Sequence, residues 1–308
     1  MSTSKSSRSK SLYSLRRWPM WMAFGALWLL VQFPHSIRLR IGRWLGLGGF
    51  YLAKKVRRIT EINLRLCFPN LTESERTQLT KKSFESVGMG FIEAGVAWWI
   101  PKKRLPKLKS IEGIDYYHQA RKEGKATLVL GLHLTTIELV GRLMADHFDY
   151  YVMYQKIKNP IFNLVITRAR DRIYPKAISN NNIRELIRLL KAKEPVWYAP
   201  DQNPAGSKKT YAPFFGVNAA TSCALEQIVK MTDAVVLPAL HYRNSDGSYS
   251  FKLLPPLKNF SQENSQENAK ILNQCFEEMI MHCPEQYLWQ YKRFKDPAPG
   301  EKDVYAES

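Results

Sequence analysis

Apolar and polar positions divide the chain into two regimes. From Met20 to Val31 there are 12 residues without a charge, short of the roughly 20 that a perpendicular bilayer span requires. Arg16 and Arg17 precede this run, and Arg38, Arg40 and Arg43 follow it. Cations on both flanks argue against a simple crossing. From Ile37 onward, Ile37, Ile41, Trp44 or Leu45, Leu52 and Val56 recur at helical intervals among Lys54, Lys55, Arg57 and Arg58. Such a basic amphipathic stripe with tryptophan suits the lipid headgroup layer. A core helix of a soluble domain is the alternative. A secretory signal fits the basic start and apolar middle, but no small-x-small cleavage site follows Val31.

Beyond residue 59 the pattern changes. Thr72-x-x-Glu75 forms a capping-box signature ahead of a long helical run ending in "GVAWW". After the basic, proline-broken "PKKRLPKL", strand and helix patterns alternate. Strands are expected near 126–132, 149–154, 195–199, 234–242 and 249–254. Helices are expected near 136–147, 159–171, 181–192, 221–232 and 263–283. This alternation predicts an α/β fold with a central, mostly parallel or mixed sheet flanked by helices, behind an N-terminal hydrophobic and amphipathic membrane-anchoring segment. The expected organisation is a disordered basic tail (1–17), a membrane-associated segment (18–58), a catalytic domain (59–297) and a frayed tail (298–308).

Charge sharpens the picture. The 308 residues carry a net charge of +19, and residues 1–60 hold 12 basic side chains and no acidic one. A basic excess implies an anionic partner: nucleic acid, an acidic membrane surface or an acidic protein. Cys67, Cys223, Cys275 and Cys283 lie too far apart for a metal or redox motif and read as ordinary thiols. The chain has no G-x-S-x-G elbow, no phosphate-binding P-loop, and no H-E-x-x-H or zinc-deaminase signature. Histidine catalysis without metal, nucleotide or covalent intermediate stays open, as does no catalysis at all.

One stretch carries candidate chemistry: "ATLVLGLHLTTIELVGRLMADH", from Ala126 to His147. His133 follows an apolar strand, where open α/β sheets tend to carry their sites. Glu138 lies in the first turn of the next helix. Five residues apart on one continuous helix, the two would diverge by roughly 140°. They meet only if His133 precedes the helix and folds back over its first turn. There the carboxylate could fix the imidazole tautomer and make the ring a general base for a hydroxyl. Alternatively, Thr135-x-x-Glu138 is a capping box that employs the glutamate structurally.

Gly-x-His-x-x-x-x-Glu after an apolar strand resembles the His–four–acid box of the lysophospholipid acyltransferase superfamily. Further blocks narrow the resemblance to its bacterial lipid A branch, the late acyltransferases of lauroyl or myristoyl type. These are "NLRLCFPNLTESER" (63–76), "RARDR" (168–172), "VWYAPDQNPAGSKKTYAPFFGVNAATSCA" (196–224) and "PEQYLWQYKRFK" (284–295). The likeness runs from about residue 15 to 297 and is nearest to the enzymes that add the first secondary acyl chain, which makes lauroyl the first-choice donor while the residues themselves leave chain length open.

The resemblance implies transfer of a fatty acyl group from acyl carrier protein to a hydroxyl of a Kdo-bearing lipid A precursor (Kdo2-lipid IVA), at the cytoplasmic face of the bacterial inner membrane. No cofactor, metal or nucleic acid is expected. It implies His133 as base and Glu138 as its orienting partner. Arg168 and Arg170 are the expected phosphate clamp, because guanidinium forks match phosphate oxygens. Asp201 is expected to reach the same cleft, although the superfamily more often has Glu-Gly there, and a turn-forming aspartate is its alternative role. Lys208 and Lys209, in an expected loop, are candidates to meet donor or acceptor. The "AATS" ahead of the expected helix 221–232 offers N–H groups to an anion.

Overall fold

The structure is a computed structural model. It describes residues 12–306 except 155–156, 176, 180–181, 205, 207 and 262–263. Most of the expected disordered tail, residues 1–11, therefore lies outside the described residues.

Nine strands and ten α-helices are present among the described residues. Four helices come first: α1 (Trp18–Leu30), α2 (His35–Leu52), α3 (Lys54–Cys67) and α4 (Glu73–Trp99). The Thr72/Glu75 capping box forms as the sequence predicts, with both reciprocal bonds made. The expected stripe over 37–56 is broken at Ala53, whose φ/ψ of −90°/62° ends α2 and begins α3.

The inward face of α2 carries Arg38, Gly42, Gly46 and Phe50, while Trp44, Leu45 and Leu52 point outward. Glycine permits this arrangement. A Cβ on Gly46 would lie 2.1 Å from the Phe84 carbonyl oxygen, and one on Gly88 would lie 2.1 Å from that of Gly42. The α2 and α4 backbones thus touch, and the apolar stripe faces away from the core. Among the described residues, 18 large apolar side chains are exposed and 13 of them fall between Tyr13 and Val56. The exposed apolar surface is therefore an N-terminal feature. No described helix is long and apolar enough to cross a membrane; α1, with 13 residues, is about 20 Å long.

A seven-stranded sheet follows. It comprises β1 (Leu108–Glu112), β2 (Thr127–Leu130), β3 (Tyr151–Tyr154), β4 (Ala177–Ser179), β5 (Val196–Tyr198), β8 (Val235–Arg243) and β9 (Tyr249–Leu253), in the order β1-β9-β8-β2-β5-β3-β4. Only β8 and β9 pair antiparallel, which matches the predicted fold class. Central β2 is buried along its whole length. Leu128 and Leu130 enter one core, with α3, α8 (Ile183–Lys191), α9 (Ala224–Thr232) and α10 (Ser265–His282). Val129 enters the other, with α1, α4, α5 (Ile114–Lys122), α6 (Ile137–Met144) and α7 (Pro160–Ile173). Alternation along the strand separates the two layers.

β1 and β4 are not among the strands the sequence pattern predicts. Both are edge strands with one hydrogen-bonded neighbour and half-polar faces, so they lack a buried strand's apolar run. Nor does the pattern predict the hairpin β6 (Lys209–Phe214)/β7 (Val217–Ser222). Its turn is Phe215-Gly216, both at positive φ, and the Phe215 N–H donates to the Glu277 carboxylate at 2.7 Å. "AATS" is consequently strand rather than a helix entry, its backbone paired with β6. Lys209 opens β6 instead of lying in a loop.

The expected frayed tail folds back as far as residue 306. Tyr305 is buried, its hydroxyl donates to the Asn63 side chain and accepts the Phe294 N–H at 3.2 Å.

Candidate active site

β2 and β5 are adjacent and parallel, with Leu130 opposite Tyr198. Their C-terminal ends therefore deliver His133 and Asp201 to the same place, as parallel sheets do at strand termini. The Asp201 carboxylate takes hold of His133 twice: Oδ2 accepts the backbone N–H at 3.0 Å, and Oδ1 lies 2.6 Å from Nδ1. Asp201 is fully buried, while 33% of the His133 side chain is open. With Nδ1 engaged, Nε2 is the ring nitrogen left for the cleft that His133 lines.

That cleft measures about 730 Å³ and is bordered by Trp197, Tyr198, Asn203, Tyr291, Lys295 and Asp296 among others, a size typical of ligand sites.

The expected pairing of Glu138 with His133 is not the one formed. Glu138 accepts from Arg170 of α7 and, at 3.2 Å, from Trp98 Nε1 of α4. The alternative capping box does not form either. Thr136, the N-cap, makes no side-chain cap bond, and its hydroxyl pairs with buried His241 Nδ1 at 2.9 Å. Glu138 and Arg170 line a small chamber of about 60 Å³, which shares Met153 and Trp197 with the cleft. The site thus consists of two neighbouring ion pairs, His133–Asp201 and Arg170–Glu138.

The two histidines are sorted by their partners. For His133, burial is the largest influence and disfavours the imidazolium. The charge and hydrogen bond of Asp201 outweigh it against opposition from Arg170, and the pKa sits above its ordinary value. Asp201 mirrors this: burial favours its neutral acid, but His133 holds the carboxyl below its usual range. His241 has no carboxylate contact, and burial, reinforced by the charge of His133, pushes it down to about 4. Of these two, His133 is the one whose surroundings favour taking up a proton.

The C-terminal block fixes the turn that carries His133. Leu288 N–H donates to the His133 carbonyl at 3.1 Å, Thr135 N–H donates to the Gln286 carbonyl at 2.8 Å, and Leu134 bridges Tyr287. The Gln286 carboxamide exchanges two 2.8 Å bonds with the backbone of Arg243. Arg243 is in turn gripped by buried Glu93 of α4, which also accepts from the Tyr249 hydroxyl. From the other side, the Ser86 and Thr135 hydroxyls share a 2.7 Å hydrogen bond. Glu93, Arg243 and Gln286 were not foreseen. A lone glutamate in a helix announces no partner 150 residues away, and only "PEQYLW" hinted at the block.

The remaining expected residues scatter. Arg168 is exposed and lines a different groove from Arg170, so the two are no single clamp: positions two apart on a helix face different ways. Lys209 is ion-paired with Asp296 at the rim of the cleft. Lys208 is exposed and does not line it. Among the described residues, no cluster of His, Cys, Asp or Glu suits a metal.

Comparison with known proteins then decides the family. Residues 5–296 match the family model described as bacterial lipid A biosynthesis acyltransferase. The chain belongs to this family. It is 32% identical over 299 residues to a lipid A biosynthesis lauroyltransferase of Escherichia coli K12, covering 96% of this chain and 98% of the relative. A palmitoleoyltransferase of the same organism is 33% identical, with 96% and 97% covered. A myristoyltransferase is 26% identical, with 96% and 93% covered. The protein is an acyltransferase of lipid A biosynthesis.

Proposed function

We propose that the protein transfers a fatty acyl chain, with lauroyl the first choice, from acyl carrier protein to a hydroxyl of a Kdo-bearing lipid A precursor (Kdo2-lipid IVA). The observation that carries this reading is the His133–Asp201 pair. Asp201 accepts a hydrogen bond from Nδ1–H, so neutral His133 presents a lone pair on Nε2. Nε2 removes the acceptor hydroxyl's proton as its oxygen attacks the thioester carbonyl. The tetrahedral adduct collapses with C–S cleavage, and the imidazolium returns the proton to the departing thiolate. The burial that isolates the pair also strengthens the electrostatic support Asp201 gives the imidazolium.

Glu138 acts on this reaction through Arg170. By neutralising the guanidinium, it limits the repulsion that lowers the basicity of His133. Arg170, so held, is the candidate for acceptor phosphate or carboxylate, with Lys295 and Lys209 supplying charge at the rim of the cleft. The basic surface suits both an acidic carrier protein and an anionic glycolipid.

The exposed apolar and basic residues of α1–α3 support association with the cytoplasmic face of the inner membrane, with the helices lying in the interface rather than crossing it.

The test uses purified full-length protein, lauroyl, myristoyl and palmitoleoyl carrier-protein thioesters, and two acceptors: the Kdo-bearing precursor and a glycerophosphate lipid. Mass spectrometry should show one non-hydroxylated acyl group added to the precursor. Acylation of the glycerophosphate lipid alone would sink this reading.

A further inference from the structure

Helix α7 sends its arginines to two places. Arg170 faces Glu138. Arg168 and Arg172, one turn apart, instead line a groove of about 350 Å³ together with Trp21 and Trp28 of α1 and Trp98 and Trp99 of α4. Both arginines are exposed, and neither has an ion-pair or hydrogen-bond partner among the described residues. No carboxylate lines the groove; Asp171, between them in sequence, is exposed and outside it. Trp18, Met22 and Leu29, on the same helix as the first two indoles, are exposed as well.

Unpaired guanidinium forks and indoles opening onto one apolar surface demand a ligand with an anionic head and a hydrocarbon body. A free phosphate would leave the indoles unused, and an alkyl chain alone would leave the guanidinium groups unpaired. Arginine forks match phosphate oxygens, and indoles prefer the headgroup level of a bilayer. The groove shares no lining residue with the cleft of His133. Trp98 lines the groove, and its indole N–H donates to Glu138, which lines the chamber.

We propose that this groove is a binding site for an anionic glycerophospholipid of the surrounding membrane. Its phosphate lies on Arg168 and Arg172, and the start of its chains lies along the tryptophans. The proposal rests on the membrane association argued above. It gives the protein a fixed orientation on the bilayer, with Trp98 linking the lipid-facing groove to the Glu138–Arg170 pair.

The test compares full-length protein with vesicles of phosphatidylcholine alone and with phosphatidylglycerol added. The double variant Arg168→Gln/Arg172→Gln is set against Lys122→Gln/Lys191→Gln, which removes equal charge elsewhere on the surface. Thermal melts check that both variants fold. The groove pair should lose about tenfold or more of the affinity for phosphatidylglycerol vesicles while keeping binding to phosphatidylcholine; the control pair should lose less than about threefold. Brominated phosphatidylglycerol should quench wild-type tryptophan fluorescence more than brominated phosphatidylcholine does, and the groove pair should abolish the difference.

Equal losses in the two double variants overturn the groove while leaving membrane association intact. Displacement of the brominated phosphatidylglycerol signal by the lipid A precursor overturns it in favour of an acceptor subsite. A wild-type protein that binds neither vesicle overturns the membrane reading and the groove together.

Discussion

Asp201 Oδ1 lies 2.6 Å from His133 Nδ1, although 68 positions separate the two residues in sequence. This pair sets how activity should depend on pH. Asp201 raises the imidazole pKa, and a base works only when neutral. The rate should therefore rise with pH through a midpoint above about 6.5. In Asp201→Asn, burial and Arg170 remain without the carboxylate, so the midpoint should fall below that of the wild type and the plateau should drop at least about tenfold. His133→Ala should lose at least about a hundredfold in kcat with an unchanged melting profile. Stability has the matching signs. The pair's contribution is lost as pH rises through the raised pKa of His133, and again as pH falls through the depressed pKa of Asp201.

Glu138 and Arg170 should behave as a unit. Glu138→Gln leaves a mostly buried guanidinium unpaired, which should cost about 1–3 kcal/mol in chemical denaturation. It also exposes His133 to the full repulsion, so the rate's midpoint should move to lower pH. Glu138→Gln/Arg170→Gln should recover at least about 1 kcal/mol relative to the sum of the single changes. Strict additivity would refute the coupling.

Gly90 allows α4 to lie against the turn that carries the histidine. A Cβ there would sit 2.5 Å from the Thr135 carbonyl oxygen and 3.0 Å from its Cβ. Helix backbone on one side and a pinned turn on the other leave little room to yield. Gly90→Val should lower kcat about ten- to a hundredfold by displacing His133, with a stability loss of about 1–3 kcal/mol. Unaltered turnover would show that the turn is not so constrained.

Both side chains of the Glu93–Arg243 pair are buried, so removing either one leaves the other's charge without its partner. Glu93→Ala strands a buried arginine and removes a partner of the Tyr249 hydroxyl, so the expected loss is about 3–5 kcal/mol. Denaturation midpoints measure this directly. Because Arg243 anchors Gln286, a folded remnant of this variant should also turn over more slowly.

Sequence pattern located the parts of the site that depend on local signals. The apolar run Ala126–Leu132 contains the buried parallel strand β2, Thr127–Leu130, and His133 follows where the run stops. The Thr72/Glu75 capping box needs only three residues of separation, and it forms. Thr135 and Glu138 have the same spacing, yet each found a distant partner, Ser86 for one and Arg170 for the other. Spacing tells which bonds are available; burial and neighbouring elements choose among them.

The sequence alone determined the α/β alternation, the position of His133 at a strand terminus, the concentration of cations and tryptophans before residue 60, and the blocks that resemble the family. These properties are written in composition and short periods. Tertiary structure decided which carboxylate serves His133, how Arg168 and Arg170 are divided between two sites, and that the apolar stripe of α2 faces outward. Each of these follows from strand order and helix packing, which bring together side chains that no sequence period relates.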